Sequence, residues 1–111
     1  VRLCEVDEMG KSVNICDGLI TVPNPTELAP VTVELSPTAY LFRAGRRIRV
    51  QVSSGAFPRF NRNLGTGEPR AEAVTALVAE QEVFHDPNRP SAIILPVADP
   101  VGPAPRAWGR W

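Results

Sequence analysis

Proline and glycine interrupt this chain so often that little room remains for long helices. The 111 residues include 12 prolines and 8 glycines. Each proline removes a backbone hydrogen-bond donor and fixes φ, and both residue types favour turns. The stretches between them are short and rich in β-branched and apolar residues, which favour strands. With no βαβ rhythm along the chain, the pattern predicts an all-β protein, either a β-sandwich or a jelly roll.

The candidate strands begin with a hairpin. Val1–Val6 and Val13–Val22 are apolar and β-branched, and the polar, Gly-containing stretch between them has the composition of a hairpin turn. Prolines make residues 23–30 a loop, and residues 55–70 form a second, longer loop without a sustained period. The further candidate strands are residues 31–35, 40–42, 46–53 and 91–97.

The strand at residues 46–53 alternates with period two, which indicates one face toward a core and one toward water. The core-facing set is Ile48, Val50 and Val52, and the water-facing set is Arg47, Arg49, Gln51 and Ser53. With Arg43 and Arg46 these arginines form a cluster that could bind an anion. In a chain of zero net charge, a solvated strand face is the favoured interpretation.

Residues 71–84 mix helix-favouring and strand-favouring residues, and propensity alone does not decide between the two.

The two cysteines also leave two interpretations. In a hairpin centred on Gly10, Cys4 and Cys16 lie nearly opposite each other, which makes a disulfide sterically feasible. Two buried free thiols are the favoured alternative, because so few cysteines fit a cytoplasmic protein, where disulfides are rare.

Several partner and cofactor classes are not expected. Twelve acidic and twelve basic residues cancel, which argues against a nucleic-acid partner. No apolar run approaches the roughly 20 residues of a membrane span. Paired C-x-x-C spacing is missing, so we predict no metal site. Met9–Ser12 ends like a phosphate-binding loop, but the glycine required five positions before Gly10 is replaced by Glu5. No cofactor is therefore predicted.

No catalytic residue is predicted either. The chain lacks a G-x-S-x-G nucleophile motif. His85 is the only histidine, and the adjacent Asp86 would point to the opposite face of a strand rather than orient the imidazole. Glu80 and Glu82 share one face of a strand and are interpreted as solvated. If this chain belongs to an enzyme, its chemistry is expected elsewhere.

Four stretches, in order, resemble one family. They are Cys-Glu-Val-Asp through Cys-Asp-Gly at 4–18, Leu-Phe-Arg-Ala-Gly-Arg-Arg-Ile-Arg-Val-Gln-Val-Ser-Ser at 41–54, Phe-Pro-Arg-Phe-Asn-Arg-Asn at 57–63, and His-Asp-Pro-Asn-Arg-Pro-Ser-Ala-Ile-Ile-Leu-Pro-Val at 85–97. Together they are similar to the C-terminal domain of the X-Pro dipeptidyl-peptidase, cocaine-esterase and α-amino-acid-ester hydrolase group. Arg46 stands where that family commonly has a histidine.

The resemblance implies a jelly-roll β-sandwich of the galactose-binding-like type, packed on an α/β-hydrolase domain that holds the catalytic serine, aspartate and histidine. It implies that residues 1–97 are the later part of that jelly roll, with N-terminal strands before Val1. Residues 98–111 contain turn-forming residues and no periodicity, which by itself predicts a loose tail. The resemblance also favours a strand at 74–84. Unpaired strand edges would then promote aggregation or association of copies.

The expected function is that of a non-catalytic β-domain of a serine hydrolase, of the X-Pro dipeptidyl-peptidase or acyl-ester hydrolase type. Its candidate interdomain docking residues are Phe57, Arg59, Phe60 and Arg62, which offer two rings to bury and two guanidinium groups for carboxylates or carbonyls. The alternative for this loop is an Ω-type loop that only closes the sandwich. The alternative for the whole chain is a stand-alone carbohydrate-binding or ligand-binding jelly-roll module.

Overall fold

The computed structural model describes residues 1–22 and 26–98, and within them the regular structure is one antiparallel sheet without helices. Its three strands are β1 (Arg2–Val6), β2 (Ser12–Asp17) and β3 (Arg47–Gln51). The strand order is β2-β1-β3, so β1 is central and the other two are edges. The all-β prediction agrees with this sheet, while the jelly-roll arrangement stays a prediction.

The turn between β1 and β2 is built around Asp7. Its backbone N–H donates to the carbonyl of Lys11 at 3.0 Å, and its Oδ1 accepts from the N–H groups of Met9 and Lys11. Gly10 has a φ of 85°, in the left-handed region that favours glycine. These local interactions confirm the predicted hairpin. Its second strand ends at Asp17, however, rather than continuing to Val22.

The register of the hairpin separates the two cysteines. Cys16 lies opposite Leu3 and Cys4 lies opposite Asn14, with an irregularity between Leu3 and Cys4. The two cysteines are therefore not directly opposed across the two strands. Both are buried and free, in agreement with the free-thiol interpretation.

The buried core is small and centres on β1. Its apolar members are Leu3, Cys4, Val6 and Cys16. β3 pairs with β1 so that Val50 lies opposite Leu3 and Ile48 opposite Glu5, which puts its apolar residues on one face as the alternation predicts. Every residue of β3 is nevertheless exposed. Within the described chain, the apolar face of β3 is therefore largely uncovered.

Four predicted strands do not form. Residues 31–35, 40–42, 74–84 and 91–97 have no regular structure. A strand needs a ladder of backbone hydrogen bonds with a neighbour, and in the described part of the chain these segments make only isolated ones. An example is the N–H of Leu77, which donates to the carbonyl of Leu64. Strand propensity is therefore not enough to form a strand where no neighbouring strand is available to pair.

The chain divides into two units, the first ending at Glu80 and the second beginning at Gln81. The first contains the sheet and the 57–63 loop. In the second, Asp86 binds the side chain of Arg89, whose guanidinium carbon lies 3.6 Å from the centroid of the Phe84 ring. The boundary predicted at residue 97 stays a prediction, and the predicted tail lies outside the described residues except for Ala98.

Candidate docking site

The end of β2 is fixed by a group of close backbone contacts. The N–H of Gly18 donates to the carbonyl of Val1 at 3.0 Å, and the Val1 nitrogen donates to the carbonyl of Gly18 at 2.9 Å. The Asp17 carbonyl accepts from both the N–H and the hydroxyl of Ser36. A Cβ on Gly18 would lie 1.9 Å from the carbonyl oxygen of Glu34, so only glycine fits there. We call this hydrogen-bonded end of the sheet the platform.

An ion pair attaches the 57–63 loop to this platform. Asp17 is only 6% exposed. Its Oδ1 accepts a hydrogen bond from Nη1 of Arg59, a residue 42 positions further along the chain. A buried carboxylate is costly without a partner, so the contact constrains where the loop lies.

Phe60 packs beside the same platform. It is half-buried, and its N–H donates to the Ala56 carbonyl at 3.1 Å. Its ring lines a cavity of about 20 Å³ together with Arg2, Asp17 and Gly18. That volume is about the space of one water molecule and is far too small for a sugar ring. We call Arg59 and Phe60 the inner pair, because both contact the end of the sheet.

Phe57 and Arg62 form an outer pair. The Phe57 side chain is 65% exposed and Arg62 is exposed as well. The guanidinium carbon of Arg62 lies 5.2 Å from the centroid of the Phe57 ring, within the range of a cation–π interaction. The Phe57–Pro58 peptide bond is cis. The four residues predicted as one docking set therefore divide into an anchoring pair and a surface pair, and both interpretations of the loop stay open.

Sequence reasoning missed Asp17, although it is the residue that holds the loop. A local signal was present, since Asp17 stands directly before Gly18. Nothing in that pattern, however, names Arg59 as its partner. Contacts between residues so far apart in sequence cannot be read from local spacing.

The predicted arginine cluster also divides. Arg46 pairs with Asp7 at an N–O distance of 3.7 Å. Desolvation and then the charge of Glu5 raise the pKa of the Tyr40 phenol, and the charges of Arg43 and Arg46 oppose this to a smaller extent. The arginines of β3 make no ion pair within residues 1–22 and 26–98.

The other candidate groups stay apart. His85 is exposed, and Asp86 binds Arg89 rather than the imidazole. Glu80 and Glu82 are exposed. Among the described residues, no three His, Cys, Asp or Glu side chains cluster in a way that could hold a metal ion. The described chain also has no helix of the length and apolarity that a membrane crossing requires.

Comparison with known proteins gives two matches. Residues 1–94 match the model of the X-Pro dipeptidyl-peptidase C-terminal non-catalytic domain. The chain is also similar to the cocaine esterase of Rhodococcus sp. (strain MB1 Bresler), with 33% identity over 109 residues. That similarity covers 86% of this chain and 19% of the esterase, so the chain spans less than a fifth of that relative's length. No solved structure matches.

Proposed function

Because the chain belongs to the family of X-Pro dipeptidyl-peptidase C-terminal non-catalytic domains, we propose that it is an accessory β-domain of a serine hydrolase. It packs on an α/β-hydrolase domain and helps to shape that domain's substrate cleft. The bond that is cleaved is an X-Pro peptide bond or an acyl ester, and the residues that cleave it belong to the hydrolase domain. The two buried free thiols support a cytoplasmic location.

The exposed outer pair is the observation on which this proposal depends. Phe57 presents an aromatic ring and Arg62 a guanidinium group. Protein–protein interfaces are enriched in both types of side chain. The Asp17–Arg59 ion pair holds the same loop in place before any partner arrives. A surface that is already ordered loses less conformational entropy on binding, so more of the contact energy goes into association.

The apolar exposure of the sheet supports the same function. Val13, Ile48 and Val50 all remain about half exposed. Burying the rest of one such side chain would contribute roughly 1 kcal/mol, about half of the value for complete burial. A partner domain that covered several of them would gain several kcal/mol before any polar contact is counted.

The test uses the polypeptide that carries both this chain and its catalytic domain. Phe57→Ala with Arg62→Ala removes one apolar and one cationic side chain from the outer pair. Met9→Ala with Lys11→Ala removes the same two types from the hairpin tip, where Met9 is 94% exposed. We expect the outer-pair variant to raise KM or weaken domain association by about 5-fold to 30-fold, since truncating interface anchors typically costs 1–2 kcal/mol. The hairpin-tip control should change neither quantity.

Unfolding experiments separate the two interpretations of the loop. If the outer-pair variant acts only by lowering the melting temperature of the β-domain, the loop merely closes its own fold and the docking proposal is wrong. The small cavity beside Phe60 gives the carbohydrate-binding alternative no support. A glycan titration that showed binding dependent on the exposed Phe57 ring would support that alternative instead.

A further inference from the structure

We propose that the peptide link between Asp17 and Gly18 is a latent site of isoaspartate formation, and that the contact of Asp17 with Arg59 keeps it unreactive. When that contact is lost, the link converts to isoaspartate and the 57–63 loop no longer attaches to the platform. This chemistry takes place inside the β-domain and is independent of the proposed function.

The first step is the sequence at this position. In an aspartate followed by glycine, the next backbone nitrogen attacks the side-chain carboxyl most readily, because glycine has no Cβ to block the approach. The other three aspartates of the chain precede Glu8, Pro87 and Pro100, and no asparagine precedes a glycine. Proline has no backbone N–H to react. Asp17 is therefore the position at which this reaction is fastest when nothing restrains it.

The second step is the reaction itself, which needs only water. The nitrogen of Gly18 bonds to Cγ of Asp17, and the amide proton leaves with a carboxyl hydroxyl as water, which closes a succinimide ring. Water then adds to one of the ring carbonyls. Opening at the side-chain carbonyl restores aspartate, whereas opening at the main-chain carbonyl routes the backbone through the side chain and gives isoaspartate. The product has the same composition as the starting chain.

The third step is that both reacting groups are engaged in the folded chain. The N–H of Gly18 donates to the carbonyl of Val1 at 3.0 Å. Oδ1 of Asp17 accepts from Nη1 of Arg59, and Asp17 is the last residue of β2. Ring closure requires the carboxyl group to turn towards the Gly18 nitrogen and the backbone to leave its extended conformation. Each of these changes breaks a contact of the folded chain.

Arg59 is the restraint that releases first. The backbone of Asp17 is held by the pairing of β2 with β1 and by Ser36, whose N–H and hydroxyl both donate to the Asp17 carbonyl. The Arg59 side chain is 56% exposed and belongs to a loop outside the sheet. Exposed loops open at a lower free energy than paired strands. Release of the carboxylate by the loop therefore sets the rate of the reaction.

Conversion makes that release permanent. In isoaspartate the free carboxylate is attached directly to the main chain, one carbon closer than the present side chain carries it. The main chain between the two residues gains that carbon, so the carbonyl that now accepts from Ser36 is displaced. The carboxylate no longer meets Arg59, and the loop loses its attachment to the sheet.

The experiment measures isoaspartate at residue 17 by peptide mapping and isoaspartyl methyltransferase labelling, in the polypeptide that carries both this chain and its catalytic domain. A synthetic peptide of residues 12–22 gives the unrestrained rate. We expect the folded polypeptide to react at least about tenfold more slowly than the peptide, and Arg59→Met to react about fivefold to tenfold faster than the unaltered polypeptide, because the rate follows the fraction of molecules in which the site is open. Asp17→Glu should abolish the product, since a larger and less favourable ring would have to close.

Two variants separate release of the carboxylate from general loss of stability. Val6→Ala truncates a side chain of the same sheet that is 1% exposed, and so lowers stability without touching Asp17. Arg46→Met removes an arginine from the Asp7 pair. Neither should speed the reaction. If Arg59→Met does not fold, Arg59→Gln replaces it with the same expectation.

Three results would overturn the proposal. The first is a peptide that forms no isoaspartate, and the second is a folded polypeptide that reacts as fast as the peptide. The third is an Arg59 variant that reacts no faster than Val6→Ala.

Discussion

Removing the guanidinium of Arg59 should destabilise the first unit, although the Arg59 side chain itself is 56% exposed. The cause lies at its partner, since Asp17 is buried at the end of β2 and its carboxylate would lose its cation. Arg59→Met is the suitable change, because it keeps much of the apolar stem while it deletes the charge and the hydrogen bond. The loop would then lose its attachment to the sheet.

Two limits set the magnitude. Breaking a fully buried ion pair by removing one partner costs roughly 3–5 kcal/mol, and losing a hydrogen bond to a charged group costs roughly 1.5–3 kcal/mol. Because water reaches the Arg59 side of the pair, we expect a loss of about 2 kcal/mol. With a urea m-value of roughly 2 kcal/mol/M for a small domain, the unfolding midpoint should fall by about 1 M.

The assay is a double-mutant cycle in urea, with Arg59→Met and Asp17→Asn made singly and together. Two residues in direct contact should give a coupling energy of roughly 1–3 kcal/mol. Arg46→Met with Asp7→Asn is the matched control. That pair is longer, at 3.7 Å, and both side chains are partly exposed, so its coupling should stay below about 1 kcal/mol.

The reasoning would be refuted if the Arg59–Asp17 coupling were no larger than that of the control pair. The loop would then be held by other contacts, and the inner pair would have no anchoring role. A second comparison sharpens this result: changing the exposed outer pair, Phe57 and Arg62, should leave the free energy of unfolding within about 0.5 kcal/mol of that of the unaltered chain.

Three further outcomes are expected. Gly18→Ala should cost at least 1–3 kcal/mol on urea unfolding, because its Cβ would meet the backbone of Glu34, whereas Gly55→Ala, with open space around it, should be close to neutral. Tyr40 is the only tyrosine, so phenolate absorbance should titrate later in the folded chain than in denaturant, and Glu5→Gln should reduce the difference. The raised pKa of Tyr40 in the folded chain means that folding favours the protonated phenol. The contribution of Tyr40 to the free energy of unfolding should therefore be fully present below pH 10 and decrease above it. A thiol reagent should find two reactive thiols in the unfolded chain and slow reaction in the folded one.

The parts of the fold that sequence reasoning predicted are those set by neighbouring residues. The hairpin follows from Asp7, whose carboxylate binds two amides of its own turn, and from Gly10, which takes the left-handed conformation. The two faces of β3 follow from strict alternation, and pairing with β1 preserves them. In both cases the information lies within a few residues of where it acts.

The parts that failed depend on distant residues. The 31–35 and 74–84 segments have strand-favouring composition, but a ladder forms only where another strand supplies hydrogen bonds. The Asp17–Arg59 pair joins positions 42 residues apart, and no spacing rule connects them. Four residues of one loop therefore looked equivalent in the sequence, although two of them contact the sheet and two face water.

Under the proposed function, that division within the loop would let a non-catalytic β-domain influence a neighbouring active site. A contact surface affects substrate binding only if its side chains keep a fixed position, and a loop rich in turn residues has none by itself. Arg59 supplies the fixed position by binding a buried carboxylate at the end of a strand whose backbone is itself pinned at Gly18. Phe57 and Arg62 then project from a loop that is bound to the sheet through Arg59. Stability changes at Arg59 and functional changes at Phe57 or Arg62 should therefore be separable, and this separation is what distinguishes a docking loop from one that only closes its own domain.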